Sequence, residues 1–339
     1  MRSEVEGQRS KVTPDEVKAR ALELGFSACG ITTPAPLPSR TAEQLDRWLA
    51  SGMAGTMRYL HRQAKRRKDP HLIVEEAKSI VVVLATYYTQ NLDSTFDLRP
   101  SPPRVARYAR GLDYHDIVGS RLQELADWLL ARGAAAARPF LDAGPVPERE
   151  LARRAGLGWI GKNTMLIRPG LGSWTFIGTV FTDLQLEPDQ QFEADHCGSC
   201  TRCLHACPTG AFPEPGVLDA TRCISYLTIE QKGPIPEDLA TRLDGWTFGC
   251  DICNEVCPWN VKFAQSTPFE ALLPRPETDL AGLPADHFER LTDEGFAERY
   301  GRTAFARPGR AGMDRNLKAA LGAGHRVPPG RPAPGTGHI

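Results

Sequence analysis

Eight of the nine cysteines fall between Cys197 and Cys257, in two runs of restrictive spacing. The first run is Cys197-x2-Cys200-x2-Cys203-x3-Cys207-Pro208. The second, Cys250-x2-Cys253-x3-Cys257-Pro258, is one cysteine short, and Cys223, alone between them, makes up the shortage. Three thiolates at steps of three can be turned toward one face of a compact cube by a single tight loop. The proline after the last cysteine fixes φ and leads the chain away. Eight such thiolates are enough for two four-iron clusters.

Where two clusters share one chain, the last cysteine of each run ligates the other cluster. That rule assigns Cys197, Cys200, Cys203 and Cys257 to one cluster, and Cys207, Cys223, Cys250 and Cys253 to the other. Structural zinc also takes four cysteines, but as separated pairs, which this pattern is not. A disulfide framework suits a short secreted chain, and 339 residues is not short.

The length allows about two domains, and 41% hydrophobic with 24% charged residues is ordinary for a globular protein. The N-terminal segment is polar and charged, without a secretory apolar core. The longest apolar stretch, Ile80 to Ala85, is too short to span a bilayer. Oxygen-sensitive clusters then make the cytoplasm the expected compartment. Zero net charge conceals an asymmetry: residues 1–110 carry 18 Lys and Arg against 12 Asp and Glu, and residues 183–257 carry 4 against 13. The basic half is compatible with a polyanion such as RNA, although a solvated surface would look the same. The run Lys65-Arg66-Arg67-Lys68 is its densest part, and gripping phosphates or facing solvent fits it equally.

Thr13-Pro14-Asp15-Glu16 predicts a capped helix ending near Gly25. Thr41 to Gln44 repeats the cap before a second helix. Ile80 to Ala85 and Trp174 to Phe181 predict strands, the first buried on both faces. A loop is expected from Asn91 to Arg104, and a helix from Asp113 to near Gly133. Helices alternating with strands imply a layered α/β or α+β domain over 1–185, followed by a cluster domain over 186–262. Short helices are expected over 263–323, and a Pro- and Gly-rich disordered tail over 324–339.

Two motifs mislead. Gly156-Leu157-Gly158-Trp159-Ile160-Gly161 matches the dinucleotide pattern G-x-G-x-x-G, which requires a strand before it and a helix after it. Here Glu148 to Ala155 reads as helix and Thr164 to Ile167 as strand, the reverse order. The glycines turn the chain tightly or let backbone approach a large flat partner, the plain turn being favoured. Asp113-Tyr114-His115-Asp116 nearly imitates a cobalt-ligating D-x-H-x-x-G, but the glycine, Gly119, falls one residue late. Asp113 reads as an N-cap and His115 as structural. Asp142, where an extended segment meets Ala143-Gly144-Pro145, reads on residues alone as a turn former bonding its own backbone. Desolvated beside a cofactor, the same carboxyl could deliver a proton. Cys29 reads as a small buried side chain.

With both cysteine runs, Leu141-Asp142-Ala143-Gly144-Pro145, Gly156 to Thr164, Arg67-Lys68-Asp69-Pro70, Arg222-Cys223-Ile224-Ser225 and Gly249-Cys250-Asp251-Ile252-Cys253 together, the chain resembles the epoxyqueuosine reductases over roughly residues 10–320. That family is related to the reductive dehalogenases. The resemblance implies an α+β fold in which a layered cobalamin-binding domain is fused to a ferredoxin-like domain with two [4Fe-4S] clusters. It implies cobalamin bound base-off, and reduction of epoxyqueuosine to queuosine at the tRNA wobble position. It puts the proton donor on Asp142, and Arg67, Arg149, Lys162, Asn163, Ser225 and Asp251 along the cofactor. Lys232 falls in a segment facing tRNA. A one-electron donor such as flavodoxin or ferredoxin, no membrane, and a monomer complete the expectation. Some members carry a helical-repeat extension that is not found here. A plain iron–sulfur electron carrier, or a cobalamin reductase of another small substrate, are the rival readings.

Overall fold

The strand Ser79–Thr86 is buried along its whole length, and the fold is built around it. In a computed structural model, which describes residues 12–89 and 103–322, it is the second strand of a sheet ordered β1-β2-β7-β4. The first stretch runs α1 (Pro14–Glu23), β1 (Ala28–Thr32), α2 (Ser39–Ala50), α3 (Arg58–Arg62), α4 (Ala64–Lys68) and β2 (Ser79–Thr86). It continues through β3 (Arg104–Val105), α5 (Tyr114–Ala131), β4 (Ala137–Leu141), α6 (Glu148–Arg154), β5 (Trp159–Ile160), β6 (Leu166–Ile167) and β7 (Thr175–Thr182). All three pairings in the four-stranded sheet are antiparallel.

Alternation along β2 builds two apolar layers. Val81, Val83 and Ala85 pack with Val17 and Ala21 of α1 and with Val118, Leu122, Leu125 and Leu129 of α5. Ile80, Val82 and Leu84 face Leu151 and Ala152 of α6 and Leu166 of β6. Each fully buried aliphatic side chain contributes about 1.5–3 kcal/mol, so this strand anchors both layers. On the second face α6 comes so close that a Cβ on Gly30 would lie 2.1 Å from the carbonyl oxygen of Ala155.

The cysteine-rich stretch is short helices on loops: α7 (Arg202–Ala206), α8 (Ile224–Ile229), α9 (Glu237–Ala240), β8 (Trp246–Phe248), α10 (Ile252–Glu255) and α11 (Pro258–Phe263). α12 (Asp293–Tyr300) and α13 (Gly309–Gly322) close the chain around Phe288, Tyr300, Phe305 and Leu317. Contacts cross positions 185 and 262. β3 pairs in parallel with β8, and Phe269 and Leu272 sit in the core of the first layer.

The capping box at Thr13 and the Asp113 cap of α5 are as expected. Three expectations need correction. α2 begins at Ser39 behind Pro38, whose fixed φ starts the helix before Thr41 can cap it. Arg104 belongs to a strand, while the rest of the expected loop, residues 91–102, lies outside the described residues. The strand expected from Thr164 is shorter, because Thr164 has φ 64° and turns the β5–β6 hairpin. The tail over 324–339 also lies outside the described residues. Among the described residues, no helix is long and apolar enough to cross a membrane.

Candidate active site and cluster loops

α7 packs on α10, which brings the two cysteine runs together. Burial first, then repulsion from Cys197, Cys257 and Cys200, pushes the Cys203 thiol up to about 11. Those are the four cysteines the crossing rule groups, and they border a cavity of about 160 Å³ with Lys162 and Trp259 on its wall. Cys253 is pushed far up by burial and then by Cys223, Asp251, Cys203 and Cys207, and Cys250 by burial and then by Cys253, Cys223 and Asp251, so the second set lies together and within reach of Cys203 of the first. All nine cysteines are free thiols. Thiols gathered in this way need cations to hold them as thiolates, which iron would supply.

The sulfurs also meet donors. The Trp159 Nε1–H points at Cys197 Sγ across 3.5 Å, and the Ala211 N–H donates to Cys207 Sγ at 3.3 Å. At the start of α8, the N–H groups of Tyr226 and Ser225 and the Ser225 hydroxyl ease the burial penalty on Cys223. Hydrogen bonds of this kind tune cluster potentials.

Asp142 ends β4 with φ 47°, a left-handed backbone that costs a non-glycine residue about 1 kcal/mol or more. Its neighbours hold it there. The Tyr114 hydroxyl donates to Oδ2 at 2.5 Å, and Glu148 Oε1 accepts the Asp142 N–H at 2.7 Å. Tyr114 is stacked on Phe176 with ring centroids 4.1 Å apart. Arg67 of α4 donates to the carbonyls of Gly144 and Val146, pinning the loop that follows. So Asp142 is not bonding its own backbone, and the turn-former reading is overturned; its carboxyl is exposed and aimed by a tyrosine. Burial pushes Glu148 up to about 8, with the Asp142 charge adding to it. Burial also lowers Arg67, whose buried Nε has no hydrogen-bond partner among the described residues.

The β5–β6 hairpin joins this wall to the cysteines. Arg149 of α6 donates to the carbonyl of Thr164, the second strained residue, at 2.9 Å. The next two contacts reach across: Lys162 Nζ to the carbonyls of Gly198 and Cys200, and Asn163 Nδ2 to Asn254 Oδ1. Gly158 (φ 152°) lets the hairpin close, since a Cβ there would lie 2.2 Å from the Ile167 carbonyl oxygen. The glycine pattern therefore serves backbone packing, as the plain-turn reading expects. Asp251 is buried, accepts the Arg107 N–H at 2.8 Å, and is raised to about 6 mainly by burial. Tyr108 feels both Asp142 and Asp251, and Tyr87 feels Asp251 and Cys253. The rings of Tyr87, Tyr108 and Tyr114, 6.3 and 6.0 Å apart, form a file from the second cysteine set to Asp142.

The family profile "Epoxyqueuosine reductase QueG, DUF1730" matches residues 67–143, and "4Fe-4S double cluster binding domain" matches residues 196–260. An epoxyqueuosine reductase from Cellulophaga algicola is 39% identical over 306 residues, spanning 89% of this chain and 96% of its own length. The chain belongs to the epoxyqueuosine reductase family. Two solved members of the family superpose on it. One, from Bacillus subtilis with its catalytic aspartate loop swung out of the active site, has a TM-score of 0.80 and 30% identity over 91% of this chain and 81% of that one. The other, holding an epoxyqueuosine-modified tRNA stem loop, has a TM-score of 0.77 and 29% identity over 91% and 80%.

Of the residues singled out in the sequence, Asp142, Arg67 and Arg149 share one wall. Lys162, Asn163, Ser225 and Asp251 instead brace the cysteine loops. Lys232 is exposed between two carbonyls, Gln231 and Gly233, gripped by Arg315. In the basic run, Lys65 and Arg66 are exposed while Lys68 pairs with Asp46. His115 is tied to Asp113 at 2.8 Å, a structural role as read. Cys29, pushed up to about 12 by burial, packs on the α1–α5 core. Sequence reasoning missed Tyr114 and Glu148. Tyr114 was in view only as a neighbour of His115, and Glu148, six residues past Asp142, carried only the signal of starting a helix.

Proposed function

We propose that this chain reduces epoxyqueuosine to queuosine at the tRNA wobble position, using cobalamin, two four-iron clusters and an external one-electron donor, flavodoxin or ferredoxin. The observation that carries this reading is the strained, tyrosine-held carboxyl of Asp142, set one file of rings away from a double-cluster loop. The named relatives, the stem-loop complex of a family member and the mobile catalytic aspartate loop of the Bacillus subtilis protein support it. The cytoplasm and a monomeric state belong to the same proposal.

Arg67 and Arg149 would hold cobalamin from the Asp142 wall, and Lys162, Asn163, Ser225 and Asp251 from the cluster side. The buried, unpartnered Nε of Arg67 suits a group rich in amide and phosphate oxygens. His115, committed to Asp113, suits a cobalt that takes no histidine from the protein. When bound, cobalamin supplies an electron-rich metal for cleaving carbon–oxygen bonds. The chain's own residues do the rest. The two cysteine sets would hold clusters that supply electrons singly, and Asp142 would protonate the departing oxygen as a general acid. Tyr114 aims that carboxyl, and exposed Lys232 with Lys65 and Arg66 would meet tRNA phosphates.

Anaerobic purification should yield about eight iron, eight sulfide and one cobalt per chain. Zinc in place of iron would end the cluster assignment, and cobalt-free but active electron transfer would favour a simple carrier. Failure on epoxyqueuosine-containing tRNA despite full cofactor loading would point to another small substrate. Asp142→Asn should keep all metals and lose at least about a hundredfold in deoxygenation; full activity would remove Asp142 from the mechanism.

A further inference from the structure

Turning an epoxide into an alkene consumes two protons, and one carboxyl carries one. The site holds a second carboxyl one hydrogen bond from the backbone of the first. Glu148 accepts the Asp142 N–H through Oε1 at 2.7 Å, which leaves Oε2 to carry a proton. Burial and the Asp142 charge push this carboxyl up to about 8, against the opposing pull of the Asp142 N–H bond itself, of Arg149 on its own helix and of Arg67 on α4. Tyr114 of α5 closes the far side of Asp142 through its hydroxyl. Glu148 therefore still holds a proton at neutral pH beside an ionised Asp142, the state Asp142 enters once it has given its own proton away.

We propose that Glu148 is the proton reserve of the site: it positions Asp142 through the backbone N–H and reprotonates its carboxylate after the first transfer, so that Asp142 delivers the second proton as well. This rests on Asp142 being the proton donor. Two electrons, arriving singly from the external donor through the clusters, leave both carbon–oxygen bonds broken and a carbon–carbon double bond formed. The oxygen takes one proton, then another, and departs as water. Both carboxyls end ionised, and each regains one proton from solvent between turnovers.

Glu148→Gln keeps an oxygen to accept the Asp142 N–H but has no proton to give. In the loaded enzyme it should retain cofactors and the KM for tRNA, with kcat down about tenfold to a hundredfold. The wild type should lose rate as pH rises through about 8, and this loss should vanish in the variant. Infrared difference spectra of the wild type, with Glu148→Gln as the blank, should show a carboxyl ionising near that pH. Wild-type kcat with an unchanged alkaline limb in Glu148→Gln would overturn the proposal, leaving solvent as the second source. Should the variant fail to fold, infrared difference spectra of the wild type between two pH values decide: no carboxyl ionising near that pH overturns the proposal. Asp142→Asn separates the two readings. If it is inactive while Glu148→Gln is normal, only the reserve fails; if it is active, the donor assignment itself fails.

Discussion

The two sets of four cysteines share a ligand type and a Cys-Pro ending, yet their surroundings differ. Cys197, Cys200, Cys203 and Cys257 border an open cavity under Lys162, Trp259 and Arg202, with Val261 exposed nearby on α11. Cys223, Cys250 and Cys253 are sunk beside Asp251 under Tyr87, at the foot of the tyrosine file that ends on Asp142. One motif placed in two dielectrics acquires a direction. In the proposed function the cavity-lining set would meet the donor protein, and the set under Tyr87 the reacting site, where low dielectric and fixed dipoles would set its potential.

The sharpest way to break that comparison is to remove one ligand from each set. Cys253→Ser should abolish turnover with every reductant, because the inner relay has no bypass. Cys200→Ser should abolish turnover with a protein donor but leave a measurable fraction with a small, strong chemical reductant that reaches the inner set. Iron content should fall by about half in each. Equal behaviour of the two variants toward both reductants would remove the inner–outer distinction.

How much of this is legible in the chain depends on the range over which each feature is determined. Cluster ligands are spaced by the geometry of the cube, so eight residues stand out in the sequence, and the rule for paired clusters supplies their crossed grouping as an expectation. The Thr13 box and the Asp113 cap are local contacts within three residues and read correctly. β2 is legible because burial on both faces demands an unbroken apolar run. The pairing of β3 with β8 is not, since two residues carry no period. Asp142 could be suspected but not placed: its grip comes from Tyr114, 28 residues away, and its strain only from the folded backbone. Asp251 and Ser225 are adjacent to ligands in sequence, yet only the structure shows them turned toward Arg107 and Cys223 rather than outward.

A smaller effect should separate the sets by stability. Asn260, three residues past Cys257, accepts the Ser173 N–H at 2.6 Å and donates to the Ser173 hydroxyl and the Asn254 carbonyl. This buried network ties α11 to the segment behind the hairpin. Asn260→Ala leaves those groups unpaired and should cost about 1–3 kcal/mol. In air, the outer set should then bleach faster while the inner keeps its wild-type rate. Loss of both sets together would mean that the network supports the whole cluster domain rather than one side of it.

The finest test changes one hydrogen bond. Trp159 is buried, edge-on to Trp259 with centroids 5.0 Å apart, and points Nε1–H at Cys197 Sγ. Trp159→Phe keeps most of the ring packing and deletes the donor. A hydrogen bond to a cluster sulfur favours the reduced, more negative state, so its loss should lower the potential of the outer set by on the order of tens of millivolts. Redox titration followed by electron paramagnetic resonance should show one of two signals shifting and the other unmoved. A shift in the inner signal, or a shift upward, would place Trp159 on the wrong cluster and reverse the order in which electrons pass.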